Sequence, residues 1–302
     1  MKNRLSLFLL LIFSIVSFSQ SKFDSFFKPS DTLNIKRKKT VLISEGIVLG
    51  TALVGLNQLW YKDYPKSNFH TVDDNNQWLQ LDKVGHFYST YHVGRAGAEL
   101  LAWSGASKNE QLLYGSTVGF GFLTVVEIFD GHSQEWGFSW GDMLANASGT
   151  GLYVAQELIW NEQRIVPKFS FHQTRYAPLR PETLGSSFNE QVIKDYNGQT
   201  YWLSFNLHSF TKSKAFPKWL NIALGYGGNG MLYGSKYEAF DEGFYQKSKR
   251  EFYLSLDVDL TKIKTKSHFL KTLFSVFNTI KVPAPTLQIG DFNGLKGHLI
   301  YF

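Results

Sequence analysis

Four stretches in the first half of the chain repeat apolar residues at the spacing of an α-helix. They cover Val41 to Tyr61, Leu81 to Trp103, Lys108 to Phe129 and Ser139 to Trp160. Segments with this length and period are typical of long helices. The first stretch is apolar enough for either a transmembrane helix or a helix buried in a bundle. Because the second stretch carries Asp82, Arg95 and Glu99, we predict a compact four-helix unit over residues 41–164.

From residue 165 onward, alternation of apolar and polar residues replaces the helical period. Such alternation predicts strands with one apolar face and one wet face. Clear strands begin at Tyr201, Leu220, Phe252 and Gly297, and weaker candidates cover Lys168 to Gln173 and Thr286 to Gly290. The glycines between Gly225 and Gly230 predict a turn. Because a closed transmembrane barrel needs about eight strands, we predict an antiparallel β region over residues 165–302, either an open sheet or a partial barrel.

One helical segment interrupts the β region, from His268 to Ile280. Phe269, Leu273 and Phe277 form an apolar stripe, so this helix is amphipathic. It either lies on a membrane surface or covers one face of the sheet. The predicted fold class is therefore α+β, with an N-terminal four-helix unit, a C-terminal antiparallel β half and one amphipathic helix.

The first residues have the layout of a secretory signal peptide. A positively charged start precedes an uncharged apolar run from Leu5 to Phe18, and small and polar residues follow at Ser19 to Ser21. We predict a signal peptide over residues 1–20 and a polar leader over residues 21–40. An uncleaved membrane anchor is the alternative, although the run is shorter than the ~20 residues that span a bilayer. The chain contains no cysteine, so neither disulfides nor a lipid-bearing cysteine is expected.

Composition indicates the cell envelope rather than nucleic acid. Aromatic residues make up 16% of the chain, a share typical of proteins that meet a membrane interface. The net charge of +6 is concentrated in short basic runs at Lys36 to Lys39 and Lys262 to Lys271, and no nucleic-acid module accompanies them. The ending Gly297 to Phe302 resembles the last strand of outer-membrane β-barrel proteins. The expected partners are a membrane lipid or an outer-membrane protein, and the sequence indicates no oligomeric state.

The four-helix unit contains one candidate polar cluster, formed by Asp82, His86, Glu127, Asp142 and Asn146. The first two members and the last two are each one helical turn apart. Such groups on facing helices build divalent-metal sites or acid–base pairs, while each alone also serves as a helix cap or a core hydrogen-bond partner. Together with the following loop, the candidate metal ligands are His86, Glu127, Asp130, His132 and Asp142. No HExxH motif, nucleophile elbow or phosphate-binding glycine loop is present, so we assign no catalytic residue and no cofactor.

The same residues carry a family resemblance. The order Asp82-Lys83-x-x-His86-Phe87, Glu127 and Ser139-x-x-Asp142-x-x-x-Asn146-x-x-Gly149 resembles the YfiM-type family of predicted periplasmic proteins, a domain of unknown function. It is also similar, more distantly, to VanZ-like membrane proteins. The resemblance covers about residues 40–160 and implies an envelope location and a small helical fold with these polar residues turned inward. The missing cysteine departs from lipoprotein members, and the signal peptide and β half depart from VanZ-like proteins.

These observations leave three hypotheses about function open. The first is a non-enzymatic exported protein in the periplasm or outer membrane of a Gram-negative bacterium, whose polar cluster fixes the helix register. The second is a membrane-associated hydrolase or transferase on a lipid or cell-wall precursor, with Asp82 and His86 as base or metal ligands. The third is a transport or assembly accessory that pairs an exposed strand edge, near Tyr201 to Phe210 or Gly297 to Phe302, with a larger barrel.

Overall fold

The computed structural model describes residues 23–62, 64–290 and 294–302. The predicted signal peptide lies outside these residues. Within them, a helical part comes first and a six-stranded antiparallel sheet follows. The predicted α+β fold class is therefore confirmed, while the domain boundaries stay predictions.

Four long helices make up the first part: α1 (Ile35–Leu56), α2 (Leu81–Trp103), α3 (Val118–Gly131) and α4 (Trp140–Trp160). A π-helical turn at Asn57–Tyr61 extends α1. A short helix, Lys108–Glu110, and a second π-helical turn, Gln111–Gly115, precede α3. The Asn34 side chain accepts a hydrogen bond from the Arg37 amide and starts α1 ahead of the predicted position. Helix α4 starts in the same way, because Ser139 accepts from the Asp142 amide.

Two sheets follow from the strand pairing. A short parallel pair joins β1 (Thr71–Val72) to β2 (Phe138–Ser139). The large sheet has the order β3 (Ile165–Phe171), β4 (Gln199–Asn206), β5 (Leu220–Asn229), β6 (Lys249–Val258), β7 (Ala284–Gly290) and β8 (Gly294–Tyr301). Short helical segments lie between these elements at Trp78–Gln80, Ala177–Leu179, Pro181–Leu184, Phe188–Lys194, Leu207–Thr211, Lys236–Asp241 and Leu260–Lys262, and a longer helix, α5, spans His268–Phe277.

The sheet is open, because β3 and β8 do not pair with each other in the described part of the chain. It nevertheless curls, since the Tyr301 hydroxyl at the end of β8 lies 3.2 Å from the Thr200 hydroxyl in β4. Two predictions about the sheet are wrong. The glycines from Gly225 to Gly228 lie inside β5, and only Gly230, with φ of 83°, ends it. β4 lies between β3 and β5, so Tyr201 to Phe210 offers no free edge.

The polar face of the sheet is the buried one, which corrects the expectation of a wet polar face. At its centre, the Asp257 carboxylate lies 2.8 Å from the Lys168 ammonium and 3.8 Å from the Lys281 ammonium, and all three side chains are fully buried. The Ser204 hydroxyl donates to the same carboxylate over 2.6 Å. Charges can be buried here because each is paired and hydrogen-bonded inside the curl of the sheet.

The opposite face of the sheet is apolar and exposed. Leu224, Leu256 and Ile289 are about half exposed, at 51%, 48% and 53%. Helix α5 also buries a polar residue, Ser275, and exposes Phe277 of the predicted apolar stripe. Phe269, at the other end of the stripe, packs against Phe23 and Phe27.

Helix α2 connects the helical part to the sheet. His92 Nε2 lies 2.7 Å from the carbonyl oxygen of Pro167 in β3, and the Tyr88 hydroxyl donates to the carbonyl oxygen of Thr279. The Arg95 guanidinium donates to the carbonyl oxygen of Ser275 in α5. The middle of α2 is thereby held at the junction of the two parts.

Two helical stretches in the described residues, Ile35–Tyr61 and Lys108–Gly131, are long and apolar enough to cross a membrane. Only 6% of the residues in the first apolar window are buried, and 28% in the second. Length and composition alone fit a core helix of a soluble protein equally well.

The buried ion pair in the sheet predicts a strong effect of removing its carboxylate. Asp257→Ala leaves two ammonium groups buried without their shared counter-charge, so we expect the free energy of unfolding to fall by about 3–5 kcal/mol. Denaturant unfolding in detergent, followed by tryptophan fluorescence, measures this change. The matched control is Asp241→Ala at an exposed position, for which we expect a change within about 0.5 kcal/mol. A loss below about 1 kcal/mol for Asp257→Ala would contradict the prediction.

Candidate functional site

The candidate cluster forms where the first turns of α2 and α4 meet the end of α3. Asp82 and His86 are one turn apart in α2, and Asp142 and Asn146 are one turn apart in α4. Glu127 lies in the last turns of α3 and is almost fully buried. The structure therefore brings together all five residues of the predicted cluster.

His86 lies at the centre of the cluster. Its Nδ1 atom is 3.1 Å from the side-chain oxygen of Asn146. Its Nε2 atom faces two carboxylates, at 3.6 Å from Glu127 Oε1 and 3.9 Å from Asp82 Oδ1. Because an amide oxygen only accepts hydrogen bonds, the structure favours a proton on Nδ1.

Lys83 neutralises another part of the cluster. Its ammonium lies 2.6 Å from Asp74 Oδ2, 2.9 Å from Asp142 Oδ2 and 3.5 Å from Asp82 Oδ2. The other oxygen of Asp142, Oδ1, is buried and has no hydrogen-bond partner among the described residues. The nearest ammonium thus satisfies only one side of this carboxylate.

Neighbouring groups fix the orientation of the carboxylates. The Tyr196 hydroxyl donates to Asp82 Oδ1 over 2.8 Å, and the Ser139 amide donates to Glu127 Oε2 over 3.0 Å. The Ser139 hydroxyl also donates to Asp74 Oδ1. Hydrogen bonds from surrounding residues therefore hold the carboxyl groups of the cluster in place.

Burial perturbs the acid–base behaviour of the site. It raises the pKa of three carboxyls, to about 8 for Glu127, about 7 for Asp130 and about 6 for Asp142. Burial also acts to raise the pKa of Asp82, but the charges of His86 and Lys83 outweigh it and hold this pKa below its usual value. Burial acts to lower the pKa of His86, and the surrounding carboxylates outweigh that effect and raise it.

The predicted metal candidates separate into two groups. His86, Glu127 and Asp142 meet in the cluster. Asp130 belongs to α3 rather than to the predicted loop, and it accepts a hydrogen bond from the Tyr61 hydroxyl over 2.8 Å. His132 is exposed and packs against the Phe69 ring, outside the cluster.

Sequence reasoning missed three groups that contact the cluster, which are Asp74, Lys83 and Tyr196. Lys83 stands in the quoted motif, so its position beside Asp82 was a usable signal. Asp74 lies in a loop, and Tyr196 is 114 residues from Asp82, so no periodic pattern relates them to the site.

One atom each of Asp82, His86 and Asp142 lies within 4.8 Å of the others, a spacing that a bound metal ion can bridge. The nitrogen and oxygen donors present suit a divalent cation, and the same groups could also exchange a proton. Metal binding and proton exchange would both depend on the short distances between His86 and the neighbouring carboxyl groups.

Residues 72–157 match the family model described as predicted periplasmic lipoprotein, DUF2279. The matched stretch contains the cluster residues from Asp74 to Asn146 and leaves out Tyr196 and the sheet. The similarity supports an exported, periplasmic protein, although the sequence contains no cysteine for lipid attachment. No curated protein and no solved structure matches the chain.

The raised pKa of Glu127 predicts that stability falls as the pH rises from about 5 to about 8. The folded chain keeps this proton up to about pH 8, whereas the unfolded chain releases it near the ordinary value of 4.5. The folded state binds more protons in this window, so a rising pH favours unfolding. The Tm of Glu127→Gln should therefore change less with pH than the Tm of the wild type.

The measurement is a thermal melt in EDTA at several pH values, so that no divalent ion contributes. Glu135→Gln, at an exposed position in the same region, is the matched control and should keep the wild-type pH dependence. Equal pH dependence in Glu127→Gln and wild type would contradict the prediction.

Proposed function

We propose that the chain is an exported envelope protein that associates with the outer membrane through the exposed apolar face of its sheet. The supporting observation is the inverted polarity of that sheet, whose buried face is polar. Outward-facing apolar side chains recur on five neighbouring strands, at Leu203, Leu224, Phe252, Leu254, Leu256, Leu287, Ile289, Leu295 and Leu299. Transmembrane β-sheets alternate in the same sense, with apolar residues outward and polar residues inward.

The hydrophobic effect favours covering the outward face of the sheet with apolar groups over leaving it in water. Removing one leucine or phenylalanine side chain from water is worth about 1.5–3 kcal/mol. Soluble monomers rarely expose apolar patches beyond a few hundred Å². A face with this many large apolar side chains therefore gains stability when acyl chains replace water.

The distribution of charge supports lipid as the occupant. The outward positions of β6 from Phe252 to Val258 carry no charge. Arg250 precedes them in the same strand, and Lys262, which pairs with Glu162, follows in the next helical turn. Six residues of rise correspond to about 20 Å, close to the ~25 Å apolar band of outer-membrane proteins. A band of this height bounded by basic residues fits the apolar core and headgroups of a bilayer.

Exposed aromatic side chains mark one end of this band. Tyr237, Phe240 and Tyr245 are 85%, 77% and 92% exposed and lie in the connection between β5 and β6. Tyrosine and other aromatic rings are favoured at the level of lipid headgroups. Their place in the connection that leads into β6 fits the boundary between bilayer and water.

The proposal also includes export by the predicted signal peptide, the YfiM-type and VanZ-like similarities, and a non-enzymatic role for the polar cluster. In it, the cluster is an internal network that keeps α2, α3 and α4 in register. The edge of β8 is the remaining candidate for pairing with a partner strand, as the accessory hypothesis requires.

A groove favours the second candidate function, a hydrolase or transferase on a lipid or cell-wall precursor. The groove has a volume of about 490 Å³, and both Lys83 and the outward side chains Leu224 and Phe252 line it. An apolar tail could thus lie on the sheet while a polar head approaches Asp82 and His86. Turnover of such a lipid by the wild type, lost in His86→Ala but not in His132→Ala, would select this function.

Membrane association is tested by adding charge to the outward face. We expect the double variant Leu254→Lys/Leu287→Lys to bind vesicles of zwitterionic phospholipid at least tenfold more weakly than the wild type, because lysine in an apolar band costs up to about 2–4 kcal/mol each. Co-sedimentation with the vesicles measures binding.

The matched control is Asn189→Lys/Thr211→Lys, which adds the same charge at exposed polar positions and should bind as the wild type does. A wild-type chain that stays monomeric in detergent-free buffer without binding vesicles would overturn the proposal. Recovery in the inner-membrane rather than the outer-membrane fraction of cells would overturn its choice of membrane.

A further inference from the structure

The side of His86 that faces the carboxyl groups makes no hydrogen bond among the described residues. Its Nδ1 atom is occupied by Asn146 at 3.1 Å. Its Nε2 atom lies 3.6 Å from Glu127 Oε1 and 3.9 Å from Asp82 Oδ1, and both distances are longer than an N–H···O hydrogen bond. Atoms that share one metal ion at about 2.1 Å each lie roughly 3–4 Å apart. The distances are thus those of ligands around one cation.

A second, independent observation is the unpartnered oxygen of Asp142. Only 4% of this side chain is exposed, and its Oδ1 atom has no hydrogen-bond partner among the described residues. Leaving a buried acceptor unsatisfied costs about 1–3 kcal/mol, and more for a charged one. Asp142 also supplies a donor atom within 4.8 Å of donors from Asp82 and His86.

Lys83 neutralises only part of the cluster. Its ammonium contacts Asp74, Asp142 and Asp82. In the described part of the chain, no lysine or arginine nitrogen lies within 4.0 Å of the Glu127 carboxylate, which has only His86 as its ion-pair partner. The cluster therefore brings the four carboxyl groups of Asp74, Asp82, Glu127 and Asp142 together with two basic side chains, Lys83 and His86. Binding of a metal ion would release the proton that Glu127 holds.

The hydrogen bonds around the cluster match the outer shell of a metal site. Metal-binding histidines usually give their second N–H to a carbonyl or carboxylate, and ligating carboxylates are held by further donors. Asn146 plays the first role for His86, and Tyr196 and the Ser139 amide play the second for Asp82 and Glu127.

We infer that Asp82, His86, Glu127 and Asp142 bind a divalent first-row transition-metal ion, with His86 Nε2 and carboxylate oxygens as ligands. Imidazole with carboxylates suits Zn²⁺ or Mn²⁺, whereas Ca²⁺ and Mg²⁺ prefer sites made entirely of oxygen. This site is independent of membrane association, because none of its ligands lies on the sheet.

The experiment uses the full chain in detergent, purified without a polyhistidine tag and stripped with EDTA. Isothermal titration with ZnCl₂ and MnCl₂ should show one ion per chain, bound at least 100-fold more tightly than Ca²⁺. His86→Ala should weaken Zn²⁺ binding at least 100-fold. Tyr196→Phe, which removes only one outer hydrogen bond, should weaken it about 10–100-fold. The exposed His132→Ala is the control and should bind within twofold of wild type.

Circular dichroism melts establish that each variant is folded. If His86→Ala does not fold, X-ray absorption of the Zn²⁺-loaded wild type decides the question instead, with one imidazole and otherwise oxygen ligands expected. Absence of tight binding, an ion without imidazole, or binding that His132→Ala abolishes and His86→Ala retains would each overturn the inference. Vesicle binding by the EDTA-stripped chain reports separately on the proposed function.

Discussion

Close contact between helix backbones at glycines is the constraint on which the cluster depends. A Cβ atom at Gly149 in α4 would overlap the carbonyl oxygen of Phe87 in α2, and one at Gly119 in α3 would overlap that of Thr90. Small residues at such crossings let two helix backbones approach closely, as they do in membrane helix pairs. Because the side chains of Asp82, Asp142 and Asn146 are short, this close approach of the helices brings them within reach of His86 and Glu127.

Helix α2, which carries Asp82 and His86 of the cluster, also contacts the C-terminal half of the chain. Further along α2, Arg95 and His92 hydrogen-bond to backbone carbonyls of the C-terminal half. Many polar groups of both halves turn towards the interior, where most find a partner, and many large apolar side chains of the sheet remain outside. For the sheet, this distribution is the reverse of a water-soluble core and has a simple cause if the surroundings are apolar, since an unpaired polar group facing lipid costs several kcal/mol.

Periodicity predicted the strands and long helices well, because successive side chains of a strand alternate and helix residues recur every three or four positions. It could not predict which face of β6 is buried, because that depends on Lys168 and Lys281, which come from other segments. Within the site, helical spacing placed Asp82 beside His86. The approach of Tyr196 follows from the tertiary packing of residues far apart in the chain, which no local pattern encodes.

Lys83 gives the cluster and the sheet a common boundary. Its ammonium contacts the carboxylates, while its side chain lines the groove formed with the outward face of β5 and β6. The cluster is therefore not sealed inside the helical part, and a molecule held on the apolar sheet would reach the polar site through this residue. A ligand suited to both surfaces needs an apolar tail and a polar head. In the second candidate function, such a ligand would place its apolar tail on the sheet and its polar head beside the cluster.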